Sequence, residues 1–551
     1  MIMRHAWILV GAPLSVLLVT SSTGSCGSSP SAFGDGGSEA SGGTTGGTTG
    51  TLHLDDGSGV GPASGGGTTT LPDGALVPVC NGPLCGVSAK DNCAGKGTPF
   101  TSITGVVYDP AGALPLYDIY VYIPSSTPDP IDPGNPACTP CEAPASGGPI
   151  IGTLTDEHGA FTLVQPDATS LGVPSGTSIP LVIQTGKWRK QITIQTVTAC
   201  AATAIPDPAT PAGKLRLPAN SSEGDMPIIA FTSGCDPAEC FLRHVGISDS
   251  EFVAPGAPLP VPWTAAAAKP AMPTPEGAGH VRFYTGRNEQ TSGGNASMVS
   301  GGNTYANTYM WWTSSANLLE NDIIFNACEC SPYDRGAAAY PAMDAYLKGG
   351  GRLFTTHYYY NWFAPTTGTA DLESVASWNP NKNTNSPTET EMDTIDQTFP
   401  KGIAFATWLQ DNAITTTLGS ITLGDTRDNM NNILPAGCQA AAAAGAGSCL
   451  STQWIYNKAQ AHPRYISFNT PVAAPVANQC GRAVFSDVHL SGTTSNATFP
   501  EECMDSNLDP TSDHVTNEKA LEFLFFDLSS CVQNDYNPSM NMPPPSNPPP
   551  K

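Results

Sequence analysis

Three apolar runs in the second half of the chain end on residues that can do chemistry. His357 follows Arg352–Thr356, and His489 follows Ala483–Phe485 with Asp487 two residues before it. Cys328 and Glu329 follow Asp322–Ala327. Two imidazoles and a carboxylate suit a divalent transition metal, so His357, His489 and Asp487 are candidate ligands, with Glu329 a further oxygen donor. A thiolate at Cys328 with a neighbouring base would instead be a nucleophile. His357, His489, Asp487, Glu329 and Cys328 are therefore also the candidate catalytic residues. The competing reading is that these polar groups satisfy backbone at strand ends and that Cys328 pairs with Cys438, Cys449, Cys480, Cys503 or another cysteine. A divalent metal is the one cofactor these residues admit. The glycine-rich pieces GGNTY and GGGR lack the lysine and helix context of a phosphate loop, and no G-x-S-x-G elbow occurs.

Two aromatic clusters lie nearby, Tyr309-Met310-Trp311-Trp312 and Tyr358-Tyr359-Tyr360-Asn361-Trp362-Phe363. Exposed aromatic faces stack on sugar rings and fill partner pockets. Trp311, Tyr359 and Trp362 are thus ligand-binding candidates, for carbohydrate or another envelope protein, with core packing as the alternative.

The elements that must position these residues begin at Asp225. Continuous apolar runs (MPIIAF, DIIFNA, RLFTT) alternate with helical stretches, among them AMDAYLK, closed by Gly349-Gly350-Gly351, and the late EKALEFLFFDL. Such alternation predicts βαβ units and a parallel sheet covered on both faces, a doubly wound α/β domain over 225–533. Ligands of such sheets sit at the carboxyl ends of strands. The order DIIF, helix, GGGRLFTTHYYYNW, GRAVFSDVHLSG, EKALEFLFFDL resembles the class I glutamine-amidotransferase-like fold, a flavodoxin-like sheet, in its ThuA-like (trehalose-utilisation-type) branch. The resemblance implies a nucleophilic cysteine at the turn after RLFTT, where this chain has His357. It implies a catalytic histidine at His489, which here lacks the following Pro-Glu. Glutamine hydrolysis is not implied.

Upstream, strands and turns alternate more tightly. Ile103–Tyr108, Tyr117–Ile123, Ile150–Thr155, Ala160–Val164, Ile179–Gln184 and Gln191–Val197 are β-rich, and Asp109-Pro-Ala-Gly and Asp156-Glu-His-Gly are turns. An all-β sandwich over 79–215 is expected, with 150–164 and 179–197 as hairpins. The pieces GVVYDPAG, YDIYVYIP and GTLTDEHGAFTL resemble the carboxypeptidase regulatory-like family, small transthyretin-like sandwiches that occur as non-catalytic modules. Cys138-Thr-Pro-Cys141 has redox or zinc spacing, but in a proline-rich loop of an exported chain disulfides are expected.

Composition places the protein outside the cytosol. Sixteen cysteines in 551 residues point to an oxidising compartment. A net charge of −24 excludes nucleic acid as a partner. Charged residues make up 13%, so polarity comes from Ser, Thr, Asn and Gly, with 57 glycines and 52 prolines. Ala6–Val19 is an apolar run of signal-peptide length, too short to span a bilayer. Ser21–Cys26 resembles a bacterial lipoprotein cleavage site, which implies acylation at Cys26 and removal of residues 1–26. Residues 27–78 then read as a Gly/Ser/Thr tether and 534–551 as a disordered proline-rich tail. An acylated Cys26 leaves an odd number of cysteines, hence one thiol. The reading is an exported lipoprotein of a Gram-negative outer membrane or cell surface, held to the membrane by its lipid, with a binding or structural role. The alternative is an envelope hydrolase or carbohydrate-processing enzyme using the His/Asp residues.

Overall fold

The structure is a computed structural model. It describes residues 68–70, 76–78, 84, 93 and 100–536, the last range apart from 139–144, 166–170, 235, 237, 254–278, 286–305, 330, 365–368, 380–390, 460, 491–502 and 504–513. The signal peptide, Cys26, the start of the tether, Cys141, Cys330 and the tail from 537 lie outside the described residues. The end of the expected tether is a short antiparallel pair, Thr68–Thr70 with Leu76–Pro78.

Residues 102–204 build two small sheets. One orders Ala160–Val164, Ser102–Val106 and Ala202–Ala204; the other orders Pro149–Leu154, Tyr120–Pro124, Gly176–Thr185 and Trp188–Val197. Ile103, Phe161 and Leu163 from the first share a core with Val121, Leu181 and Ile183 from the second. The last two strands form the expected hairpin. Pro149–Leu154 and Ala160–Val164 do not pair; each joins a different sheet. The Asp156 turn carries the chain across, with Asp156 Oδ1 accepting from the amides of His158 and Ala160 at 3.0 and 2.9 Å.

From Ile229 the chain enters a mixed eleven-stranded sheet. Phe252–Val253, Val281–Thr285, Ile229–Ser233, Ile323–Asn326, Arg352–Thr356 and Gly481–Ser486 lie side by side in that order, all parallel. Every residue of the last three is buried, as expected of parallel strands covered on both faces. Beyond them Pro463–Thr470, Thr452–Asn457, Glu391–Ile395 and Ser420–Leu423 continue the sheet antiparallel, against the parallel expectation. The link from Thr470 to Gly481 is too short for the crossover that a parallel pair needs.

Helix Ala339–Lys348 delivers the chain to the Arg352 strand. Gly350 ends it at φ +106°, and a Cβ at Gly351 would lie 2.3 Å from the Tyr346 ring. Helix His514–Ser529 is buried on all sides from Ala520 to Ser529, and the reason is its position. Phe525 meets Phe241 and Phe325 of the large sheet's layer, while Phe523 stacks on Tyr117 and Phe526 meets Trp188. One hydrophobic cluster therefore runs from Ile103 to Leu528, and the described residues form one unit. Lys401, buried, adds ion pairs to Asp527 and to Asp118 of the first part.

Disulfides Cys93–Cys200, Cys138–Cys480, Cys240–Cys503 and Cys438–Cys449 staple distant segments. Cys138 is thus a disulfide half. Cys438, Cys449, Cys480 and Cys503 have partners other than Cys328, which stands outside the disulfides. Among the described residues no helix is long and apolar enough to cross a membrane.

Candidate functional site

The parallel strands deliver the site residues from their carboxyl ends. After Ile229–Ser233 the chain adds strands on one side, then returns to add Ile323–Asn326 on the other, so the switch point of the sheet lies between these two. Gly234 ends the first of them so close to the second that a Cβ would sit 1.9 Å from the Cys328 carbonyl oxygen. Cys328 therefore occupies the switch point itself. His357 is the first residue after Arg352–Thr356, and His489 is three residues beyond Gly481–Ser486.

These three side chains converge. Cys328 Sγ lies 3.2 Å from His357 Nδ1, and the His357 and His489 rings are 4.1 Å apart between centroids. One donor atom from each of Cys328, His357 and His489 lies within 4.8 Å of the other two. Cys328 is fully buried and His357 nearly so, while the His489 side chain is 19% exposed. The approach from solvent is past His489.

A fourth residue, Asp425, completes the arrangement without having been legible in the sequence. Its Oδ2 is 2.5 Å from His489 Nδ1, and its main-chain oxygen accepts from the His489 amide at 3.2 Å. That bond turns Nε2 of His489 inward. Asn517 Nδ2 donates to the His489 carbonyl at 2.7 Å and fixes the backbone. His357 and Asp425 both adopt left-handed backbone, φ +54° and +51°. Strain of about 1–3 kcal/mol at each such residue persists only where the surroundings enforce it, and it gathers at functional sites.

The electrostatics separate the two imidazoles. Burial, the His489 charge and Arg427 hold His357 well below the usual histidine range. Burial opposes the charged form of His489 too, but the Cys328 sulfur and the bond to Asp425 push it well above that range. Nε2 of each ring is buried with no hydrogen-bond partner. Such orphans cost about 1–3 kcal/mol apiece. One sulfur with two nitrogens is a donor set for Zn²⁺ or copper.

The other expected site residues are elsewhere. Asp487 does not join the cluster: the strand ends at Ser486, and its Oδ2 turns to accept from the Asn429 amide at 2.6 Å. Burial raises its pKa to about 7. Glu329 points away from Cys328 into a fully buried ion pair with Arg335, and accepts from the Tyr359 hydroxyl at 3.0 Å. Tyr359, Trp362 and Trp311 are buried rather than exposed. Trp312, Tyr359 and Trp362 wall in the Arg335 guanidinium at 4.8, 4.2 and 5.7 Å. Trp362 Nε1 donates to Asn326 Oδ1 at 3.1 Å, and Trp311 stacks on Tyr284. The aromatic clusters are the packing that supports the strand ends.

No family model and no curated protein matches the chain. Among solved structures, a ThuA-like protein from Bacteroides uniformis is similar over 42% of this chain and 80% of its own, at 11% identity and a TM-score of 0.25.

Proposed function

We propose that the chain is an exported, lipid-anchored envelope protein, of the outer membrane or cell surface, that holds a transition-metal ion at Cys328, His357 and His489. In this reading a carboxypeptidase regulatory-like sandwich packs on an amidotransferase-like, flavodoxin-like α/β domain that no longer carries amidotransferase chemistry. The observation that carries the metal is the convergence of one thiol and two imidazoles within 4.8 Å. The disulfides support export. Sixteen cysteines less an acylated Cys26 leave an odd number, and a thiol at Cys328 lets all the others pair. The test is elemental analysis of the full chain purified from the envelope. We expect one metal ion per chain, lost in Cys328→Ser and in His489→Gln. A chain that carries no ion and takes up none from added Zn²⁺ or Cu²⁺ would sink the proposal.

A thiol hydrolase is the second reading. It is favoured by the His489–Asp425 bond, since a base oriented by a third group is what a cysteine nucleophile needs. Rapid alkylation of Cys328, unchanged by added metal, is its signature.

A further inference from the structure

We infer that the ion at Cys328, His357 and His489 is copper, held in a thiolate–bis-imidazole centre of the electron-transfer type. This rests on the metal reading above and adds the identity of the ion and the class of chemistry.

The donor set is the first argument. One cysteine sulfur and two histidine nitrogens, without a strong fourth ligand, is the pattern of trigonal copper–thiolate sites. A structural zinc site closes with four protein ligands, and a catalytic one keeps an open position for water and substrate. The described residues supply no fourth ligand for a structural site, and an open position for water and substrate conflicts with the burial of this one. The carboxylates nearby are engaged: Glu329 by Arg335, Asp487 by the Asn429 amide, Asp425 by His489 and Asp236 by the Leu490 amide. Among the described residues the cluster of potential ligands holds three.

Burial is the second. Cys328 is 0% and His357 2% exposed. A site this dry is poorly suited to activating water, which must enter and leave with substrate. It is well suited to a one-electron centre, which exchanges no ligand. His489, 19% exposed, is the edge through which an electron would pass.

Rigidity is the third. His357 is set by its left-handed backbone at the strand end, and His489 by Asp425 on one side and Asn517 on the other. Cys328 is pressed against the close-packed Gly234 backbone. A site whose ligands cannot rearrange can hold both oxidation states in one geometry. With equal donors, Cu²⁺ also binds more tightly than Zn²⁺.

The redox step is simple. Bound Cu²⁺ takes one electron from a one-electron donor to become Cu⁺, the sulfur and both imidazoles remain bound, and no proton or bond is exchanged.

The experiment uses the full chain with disulfides intact, stripped with a chelator and titrated separately with Cu²⁺ and Co²⁺. One equivalent of Cu²⁺ is expected to give an intense visible thiolate-to-copper charge-transfer band. Ascorbate should bleach it and ferricyanide restore it. Cys328→Ser and His489→Gln should each abolish the band, and His489→Gln, at the exposed edge, should do so while the fold survives. A thiolate–Co²⁺ band with only weak Cu²⁺ absorption, or with loss of the Cys328 thiol on adding Cu²⁺, would overturn copper and leave the metal site standing. Binding of neither ion would overturn both.

Discussion

Removing the charge of Glu329 tests whether this residue belongs to the metal site or to the packing beneath it. Both side chains of the Glu329–Arg335 pair are fully buried. Breaking such a pair by deleting one partner costs about 3–5 kcal/mol, because a charge is left uncompensated in the interior. In Glu329→Gln two features reduce that cost. The amide oxygen can still accept from the guanidinium, and Trp312, Tyr359 and Trp362 at 4.2–5.7 Å continue to stabilise the cation by about 1–2 kcal/mol. We therefore expect a loss of about 2–4 kcal/mol for Glu329→Gln. Arg335→Met should be at least as costly, since it removes the counter-charge of a fully buried carboxylate. The double variant should cost less than the sum of the two, with a coupling of about 2 kcal/mol or more. The assay is urea unfolding without reductant, with a constant slope as the check that the denatured state is unchanged. Metal stoichiometry of the folded variants should match that of the unaltered chain. A loss under about 0.5 kcal/mol for Glu329→Gln, or an altered stoichiometry, would refute the assignment of Glu329 to packing.

Asp425→Asn removes the charge that orients His489 and should weaken metal binding by about 10–100-fold in a competition titration, with unfolding little changed; unchanged affinity would show that the 2.5 Å bond orients nothing of consequence. Gly234→Ala places a Cβ 1.9 Å from the Cys328 carbonyl oxygen, so the strand ends must separate. The expected result is loss of metal uptake or of soluble protein, and a variant with normal uptake would contradict the close approach. His244 supplies a pH dependence away from the site. Burial lowers its pKa, but the Glu518 carboxylate at 2.7 Å and the Cys503 carbonyl at 3.1 Å outweigh that and raise it. A raised histidine stabilises the fold fully below the unfolded value near 6.5, and the contribution is lost as pH rises through the higher folded value. Melting followed from pH 5.5 to 8.5 should show a decline in stability that His244→Gln lacks, and identical profiles would exclude it.

The amino-acid sequence by itself determined the strands that carry the site. Ile323–Asn326, Arg352–Thr356 and Gly481–Ser486 are built on short apolar stretches (IIF, LF, AVF) without polar alternation, and such a stretch has no solvent face to offer, so it reads as a buried central strand. Polar residues just past such runs stand at the strand ends, which is why Cys328, His357 and His489 could be singled out. Their convergence is a property of strand order, and order depends on which loops return to which edge. Asp425 was illegible because it follows Ser420–Leu423, a short strand that takes its place only through antiparallel pairing with a strand not adjacent to His489 in sequence. Asp487 sits beside His489 in the chain, yet the strand ends at Ser486 and the two side chains part, because a period of two governs direction only while the strand lasts. The Trp and Tyr clusters have the same composition whether they line a rim or fill a core. Only the packing decided that they close around Arg335, and it did so because a buried guanidinium needs a carboxylate and aromatic faces together, from residues brought there by separate strands.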